Sequence, residues 1–145
     1  QRGIGIYGTF VFGYDHDTLD TIRRSVDFAL ESNLEIANFN PLTPTPGSTL
    51  YNRLLDENRL ISPQWWLEPN YRYGDPIFVP AGMTAEKLAA GCFEAKKEFY
   101  KWSAIMRRLI VSDRPFSPFI AGITFAANII SRREVYRKQG RTLGA

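Results

Sequence analysis

The chain has 145 residues, of which 44% are hydrophobic and 23% are charged, and this balance excludes wholesale disorder. No uninterrupted apolar run reaches the roughly 18 residues of a membrane span, and no secretory signal stands at the start. The single cysteine, Cys92, excludes an internal disulfide and any zinc–thiolate or iron–sulfur site built from this chain alone. The length fits one domain or part of a larger one. The lack of an internal disulfide fits a reducing, cytoplasmic compartment.

The net charge of +3 is divided unevenly along the chain. Residues 1–100 carry nine Lys and Arg against thirteen Asp and Glu, whereas residues 101–145 carry nine against two. A basic end on an acidic body predicts contact with an anionic surface or with acidic residues of the same chain, although a solvated helix end is the simpler interpretation. Nucleic acid is disfavoured as a partner, because no aromatic stacking platform accompanies the basic residues.

The first forty residues have the order strand, helix, strand. Residues 3–13 are rich in Ile, Val, Phe, Tyr and Thr, and their near-continuous apolarity predicts a strand covered on both faces. An amphipathic helix follows, for which Asp17 or Thr18 is the expected N-cap and Asn33 the expected stop. A second strand is predicted over residues 34–40. This order predicts a βαβ unit with parallel strands.

A second β-loop-α unit follows from residue 41 onward. The run PLTPTPGS, residues 41–48, predicts a stiff, extended loop that cannot be a central strand. Ser48 is the expected cap of a short helix that ends near Asn58. Residues 62–82 hold aromatic residues and four prolines, which predict an irregular connection with a short third strand at residues 77–79.

Near Ser62 the sequence changes from strand and helix patterns to an aromatic, proline-rich run. We predict a boundary there between residues 1–62 and residues 63–145. An apolar seam that includes Cys92 predicts one helix over residues 85–110, about 39 Å long at 1.5 Å per residue. Cys92 is expected to be a small core residue of that helix rather than a nucleophile. The charge-free stretch 116–130 predicts a further helix packed antiparallel on the first, an αα-hairpin. A helix that lies in a membrane interface, ending in a basic collar, is the alternative.

Functional residues are expected in the two loops that leave the predicted strands, because sites of parallel α/β folds lie at the carboxyl ends of their strands. The first loop offers Asp15, His16 and Asp17, which could move protons. Adjacent residues seldom converge on one metal ion, so a turn with a solvent-facing histidine is preferred to a metal site. The second loop has no ionisable group, and its prolines either present backbone groups to a ligand or form only a rigid turn.

These loops carry a resemblance to a known family. The runs GTFVFGYDHDTLDTIRRSVDFALE and ANFNPLTPTPGSTLYNRLLDENRL resemble the later strands of the radical S-adenosylmethionine (radical SAM) barrel. The similarity is greatest to the subgroup with an N-terminal cobalamin-binding domain, and it covers residues 1–62 well. The positions that match are the strand-ending glycine, the helix-opening threonine and the Pro-Gly-Ser loop closure: Gly13, Thr18, Pro44, Pro46, Gly47 and Ser48.

The resemblance implies an α/β fold, a fragment of a partial (β/α) TIM-like barrel with two βα units followed by a helical αα-hairpin extension. It further implies S-adenosylmethionine and a [4Fe–4S] cluster in the full-length protein, and it leaves open whether that protein also binds cobalamin. By position, adenine would contact the end of the first strand and the start of the second loop. The residues implied for this cofactor site are Val11, Phe12, Gly13, Leu42, Thr43 and Pro44.

The family's CxxxCxxC cluster loop is absent, which predicts that the chain is a C-terminal piece of such an enzyme, inactive alone and dependent on the rest of its own chain. An uncovered sheet predicts self-association, or burial of that sheet by the C-terminal helices. The alternative is a non-catalytic helical module that docks on a membrane surface or a protein partner.

Overall fold

A computed structural model of the protein describes residues 5–110 and 118–142. The main chain forms two strands and five helices in the order β1 (Tyr7–Phe12), α1 (Leu19–Glu31), β2 (Ile36–Pro41), α2 (Thr49–Asp56), α3 (Ala85–Phe99), α4 (Trp102–Ile110) and α5 (Pro118–Lys138). A single 3-10 turn, Trp65–Leu67, lies in the connection between α2 and α3. Within the described ranges, none of the helices combines the length and the apolarity that crossing a membrane requires.

The two strands form a parallel sheet in which Tyr7 pairs with Ile36 and Phe12 with Pro41. This confirms the predicted βαβ unit and a mixed α/β fold. The predicted third strand is wrong, because Phe78 makes only an isolated antiparallel bridge with Leu60. With two strands in the described sheet, a partial barrel stays a prediction.

The ends of α1 and α2 are set by the residues that the sequence indicates. Thr18 caps α1 in a reciprocal box with Thr21, and Ser48 caps α2 by accepting from the Tyr51 amide at 3.2 Å. Asn33 and Asn58, which follow the two helices, have φ values of 50° and 53°. Asparagine tolerates this left-handed conformation better than most residues, so it ends each helix at little cost.

One face of the sheet carries the core. The rings of Phe10, Phe12 and Phe39 stack there, with 5.0 Å between the Phe10 and Phe39 centroids. Helices α1 and α3 cover this face with apolar side chains that include Ile22 and Leu88. The core therefore joins the two predicted parts of the chain, and the boundary near residue 62 stays a prediction.

The other face is bare among the described residues, so the predicted cover on both faces of the first strand is not found in that part of the chain. Tyr7, Thr9 and Val11 alternate with the core residues of β1 and are exposed. Thr9 pairs with Asn38 and Val11 with Asn40, and residues paired in a parallel ladder share a face. We call these five side chains the open face. The described part of α5 does not bury it, because it packs on α3 and α4.

The predicted helix over residues 85–110 is divided into α3 and α4. Tyr100 leaves helical geometry with φ −97° and ψ 15°. The carbonyl oxygens that a continuous helix would use next are taken by side chains, because Arg108 Nη1 donates to Phe99 O and Arg132 Nη1 donates to Tyr100 O, each at 2.8 Å. The predicted burial of Cys92 is confirmed, and Phe99 at the end of α3 is buried as well, whereas Trp102 beyond the break is half exposed.

Helix α5 packs antiparallel to α3 and α4, as predicted for an αα-hairpin. Its contacts run in reverse order along the chain: Asn128 with Arg108, Arg132 with Tyr100 and Trp102, and Tyr136 with Phe93. The described part of the charge-free stretch is only partly buried, because Phe119, Ile123 and Ile130 are exposed. Residues 116 and 117 lie outside the described residues.

Candidate functional site

The loop after β1 is closed by Asp17. Its Oδ2 accepts hydrogen bonds from the amides of Gly13, at 2.9 Å, and Tyr14, at 3.0 Å. Gly13 has φ +114°, and an added Cβ would lie 2.9 Å from the Phe78 ring. Glycine is therefore required here both by the backbone conformation and by the close approach of the connection.

Asp15 projects from the same loop towards α2. Its Oδ2 accepts from Arg53 Nη1 at 2.7 Å, and its Oδ1 accepts from Arg59 Nη1 at 3.3 Å. The Arg53 guanidinium, with Arg59, holds the pKa of Asp15 below its usual value despite partial desolvation. Asp15 therefore remains a carboxylate that joins the loop after β1 to the second βα unit.

The three residues of the predicted polar site therefore do not act on one common group. Asp17 binds backbone amides, Asp15 binds two arginines, and His16 is exposed to solvent. No group of three or more His, Cys, Asp or Glu suited to a metal ion occurs within the described residues. Proton transfer by His16 stays a prediction.

The six residues implied for the cofactor lie at the carboxyl end of the sheet, but they differ in accessibility. Val11 belongs to the open face, whereas Phe12 points into the core and is 3% exposed. The two loops meet where the Leu42 amide donates to Phe12 O at 2.7 Å. Beyond that point Thr43 is exposed and Pro44 is buried. Cofactor binding by these residues stays a prediction.

Sequence reasoning missed the polar side chains of the open face. Asn38 and Asn40 flank the buried Phe39, and the Asn38 Nδ2 atom donates to the Tyr7 hydroxyl. The signal was present in the run IANFN, where asparagines alternate with core residues at the period of a strand. The open face therefore combines two amides, two hydroxyls and an apolar group at its carboxyl end.

The two edges of the sheet also differ. Along β2, the outward backbone groups are taken by side chains: Ala37 N and O bond to the Tyr100 hydroxyl at 3.3 and 3.0 Å, and Asn128 Nδ2 donates to Glu35 O at 3.0 Å. In the described part of the chain, β1 pairs with β2 alone, and no strand pairs with its outer edge. The edge of β2 is covered, and the outer edge of β1 is not.

The lone cysteine does not fit an iron–sulfur cluster. Cys92 is 2% exposed in the core beneath the sheet, and burial raises the pKa of its thiol to about 12. A cluster needs several thiolate ligands, usually four of them, whereas this thiol is single and stays protonated. This confirms that Cys92 is a core residue.

A cleft of about 730 Å³ opens between the connection and the start of α3. Its walls include Trp65 and Tyr71, and Ala85 and Ala89 of α3 form its floor. Glu68 and Glu86 also line it, and none of the described lysines or arginines does. The cleft is of ligand size, mostly apolar and acidic in character.

The chain is similar to parts of two methyltransferases and a cyclase. It is 33% identical over 133 residues to bacteriochlorophyllide d C-12(1)-methyltransferase and 22% identical over 140 residues to bacteriochlorophyllide d C-8(2)-methyltransferase, both of Chlorobaculum tepidum. It is 25% identical over 96 residues to the anaerobic magnesium-protoporphyrin IX monomethyl ester cyclase of Cereibacter sphaeroides. These matches cover 92, 95 and 66% of the chain, respectively.

The chain spans only 27, 30 and 15% of these three relatives. No family model matches the sequence, and no solved structure matches it. The named methyltransferases and cyclase are radical SAM family enzymes, so the comparisons support the resemblance at the level of that family, at low identity. In these related proteins they imply S-adenosylmethionine and a [4Fe–4S] cluster. They confirm neither the cobalamin-binding subgroup nor cobalamin, and they give no support to the docking-module alternative.

Proposed function

We propose that this chain supplies two βα units to the barrel of a radical SAM enzyme and that its open face binds S-adenosylmethionine. In this proposal the full-length protein is a cytoplasmic methyltransferase or cyclase. The 145 residues alone are inactive, because their lone cysteine cannot hold a cluster. The finer proposal, an N-terminal cobalamin domain, would be tested by cobalamin binding to the full-length protein.

The observation that carries the proposal is the asymmetry of the sheet. Its core face is closed by α1 and α3, and the edge of β2 is closed by Tyr100 and Asn128. The remaining face and the outer edge of β1 are free within the described residues. This arrangement is expected where β2 is the last strand of a partial barrel. Further strands would then pair with the outer edge of β1, and the open face would be turned towards the barrel interior.

The residues at the carboxyl end of the open face fit an adenosine group. Val11 offers an apolar surface to the base, and the Asn40 amide beside it can pair with polar atoms of the same ligand. Backbone groups of Leu42 and Thr43 lie at the same end of the sheet. When bound, S-adenosylmethionine would supply the transferable methyl group or the hydrogen-abstracting chemistry of the family.

We further propose that the substrate is a tetrapyrrole. The support is that the three relatives reported above act on bacteriochlorophyllide d or on magnesium-protoporphyrin IX monomethyl ester, as their names state. Methyl transfer and ring cyclisation are the two reactions that those names offer.

The test uses the full-length protein, purified anaerobically with its cluster reconstituted, and measures binding of radiolabelled S-adenosylmethionine by equilibrium dialysis. Val11→Asp places a charge where the base would lie and is expected to weaken binding at least about tenfold. Leu67→Asp is the matched control, because Leu67 is 67% exposed in the 3-10 turn and does not belong to the open face. Failure of the unchanged protein to bind, or equal binding by Val11→Asp, would contradict the proposal.

A further inference from the structure

The guanidinium group of Arg59 joins three separate segments. Its Nη1 donates to Asp15 Oδ1 at 3.3 Å and to Glu57 Oε2 at 2.7 Å, and its Nε donates to Val79 O at 2.9 Å. Asp15 lies in the loop after β1, Glu57 follows α2, and Val79 lies in the connection before α3. One side chain therefore links the loop after β1, the second βα unit and the connection.

The connection lies directly against the loop after β1. The Gly13 backbone approaches the Phe78 ring so closely that a Cβ would collide with it. At Gly82 an added Cβ would collide with the backbone oxygen of Asp17. A shift of the connection would therefore displace the loop, and Arg59 is the charged group that ties the two together.

Arg59 is largely buried, and one of its nitrogens lacks a partner among the described residues. Its side chain is 20% exposed, and its Nη2 atom is buried without a hydrogen-bond partner in the described part of the chain. Desolvation of a guanidinium group with an unsatisfied nitrogen is costly, so a buried ion pair of this kind is weak evidence for a stabilising role. The fixed fork of the guanidinium, by contrast, holds its partners in one geometry.

We propose that Arg59 is a positioning residue that fixes the loop after β1 for ligand binding. The site in question is the one under Proposed function, and the inference rests on that proposal. Arg59 holds Asp15 Oδ1 while Arg53 Nη1 holds Oδ2 at 2.7 Å, so the carboxylate is restrained on both oxygens. This restraint would keep Gly13 at a constant distance from the loop after β2.

The first measurement compares Arg59→Met with the unchanged full-length protein. Binding of S-adenosylmethionine is expected to weaken about tenfold, because the loop is no longer held in its binding geometry. The midpoint of urea unfolding is expected to fall only slightly, because Asp15 keeps its pair with Arg53 although Val79 O loses its donor. Arg59→Lys should weaken binding similarly, since an ammonium group keeps the charge but cannot form the fork.

Arg23→Met is the matched control, because Arg23 is exposed on α1 and its ion-pair partner among the described residues is the nearby Asp20. It should leave both binding and the urea midpoint unchanged. Weaker binding by Arg59→Met that is accompanied by an equal loss of stability would overturn the proposal. Full binding by Arg59→Lys would also overturn it, because charge alone would then suffice.

A second measurement does not depend on the ligand. Amide hydrogen exchange at Gly13, Tyr14 and Asp17, whose N–H groups are bonded within the loop, should quicken about tenfold in Arg59→Met, while the amides of α1 keep their protection. Unchanged exchange in the loop would overturn the positioning role. If the unchanged protein does not bind S-adenosylmethionine, the proposed function fails and this exchange measurement still decides the role of Arg59.

Discussion

Gly13 shows how much the candidate site depends on a single residue. It ends β1, adopts φ +114°, and lies between the Phe78 ring and the Leu88 side chain. A side chain at this position would be strained by the backbone conformation and would also push the connection away from the loop. The requirement for glycine therefore has two separable causes.

The substitution Gly13→Ala is expected to lower the free energy of unfolding by about 2–4 kcal/mol, through backbone strain and overpacking together. Gly47→Ala is the matched control, because Gly47 also has positive φ, +83°, but an added Cβ would meet nothing within 4 Å. It should lose only the strain component, about 1–2 kcal/mol. Equal losses in urea denaturation of the two variants would show that crowding by Phe78 has no effect.

At the scale of elements, the end of α3 is fastened to the edge of β2. The Tyr100 hydroxyl donates to Ala37 O and accepts from Ala37 N, and its ring is 2% exposed. Burial raises the pKa of this phenol, so it stays protonated and able to donate at neutral pH. The same residue ends α3, which explains why the seam of the predicted long helix is interrupted there.

Tyr100→Phe keeps the ring but leaves two backbone groups of β2 without their partner. The expected loss is about 1–3 kcal/mol in the free energy of unfolding, the range for unsatisfied buried polar groups. Tyr136→Phe on α5 should change stability by less than about 0.5 kcal/mol, because Tyr136 is half exposed. The two variants are compared by urea denaturation, and a Tyr100→Phe protein as stable as the control would refute this role of the hydroxyl.

At the scale of the whole molecule, apolar and backbone surfaces remain uncovered. The open face and the outer edge of β1 have no cover within the described residues, and Trp102, Ile110, Phe119 and Ile123 of the C-terminal helices are exposed as well. Exposed strand edges and apolar faces favour association. Burial of the open face by the C-terminal helices, one of the two expectations from the sequence, is not found in the described part.

We therefore expect the isolated 145-residue chain to self-associate through the open face. Sedimentation equilibrium should detect dimers or larger species, and Val11→Lys should weaken the association about tenfold by placing a charge on the contact surface. Ile123→Lys on α5 should have little effect if the open face is the contact. A chain that is monomeric at every concentration, or that responds only to Ile123→Lys, would contradict this prediction.

Local signals in the sequence were enough to predict the βαβ unit, the cap Ser48 and the core position of Cys92, and to narrow the cap of α1 to Asp17 or Thr18. Each depends on neighbours within a few residues, so periodicity and side-chain chemistry determine it. The radical SAM resemblance also came from local runs, at the two loops. The sequence by itself therefore determined the βαβ unit, its loops and the enzyme family it resembles.

Only the tertiary structure decided which surfaces are covered and which polar groups meet. The break between α3 and α4 depends on Arg132, thirty-two residues from the carbonyl it binds, and the link from Asp15 to Arg59 spans forty-four residues. The bare face of β1 reflects the absence of a second layer in the described chain, which an apolar strand sequence does not reveal. Such features depend on partners distant in sequence, and no local pattern encodes where those partners lie.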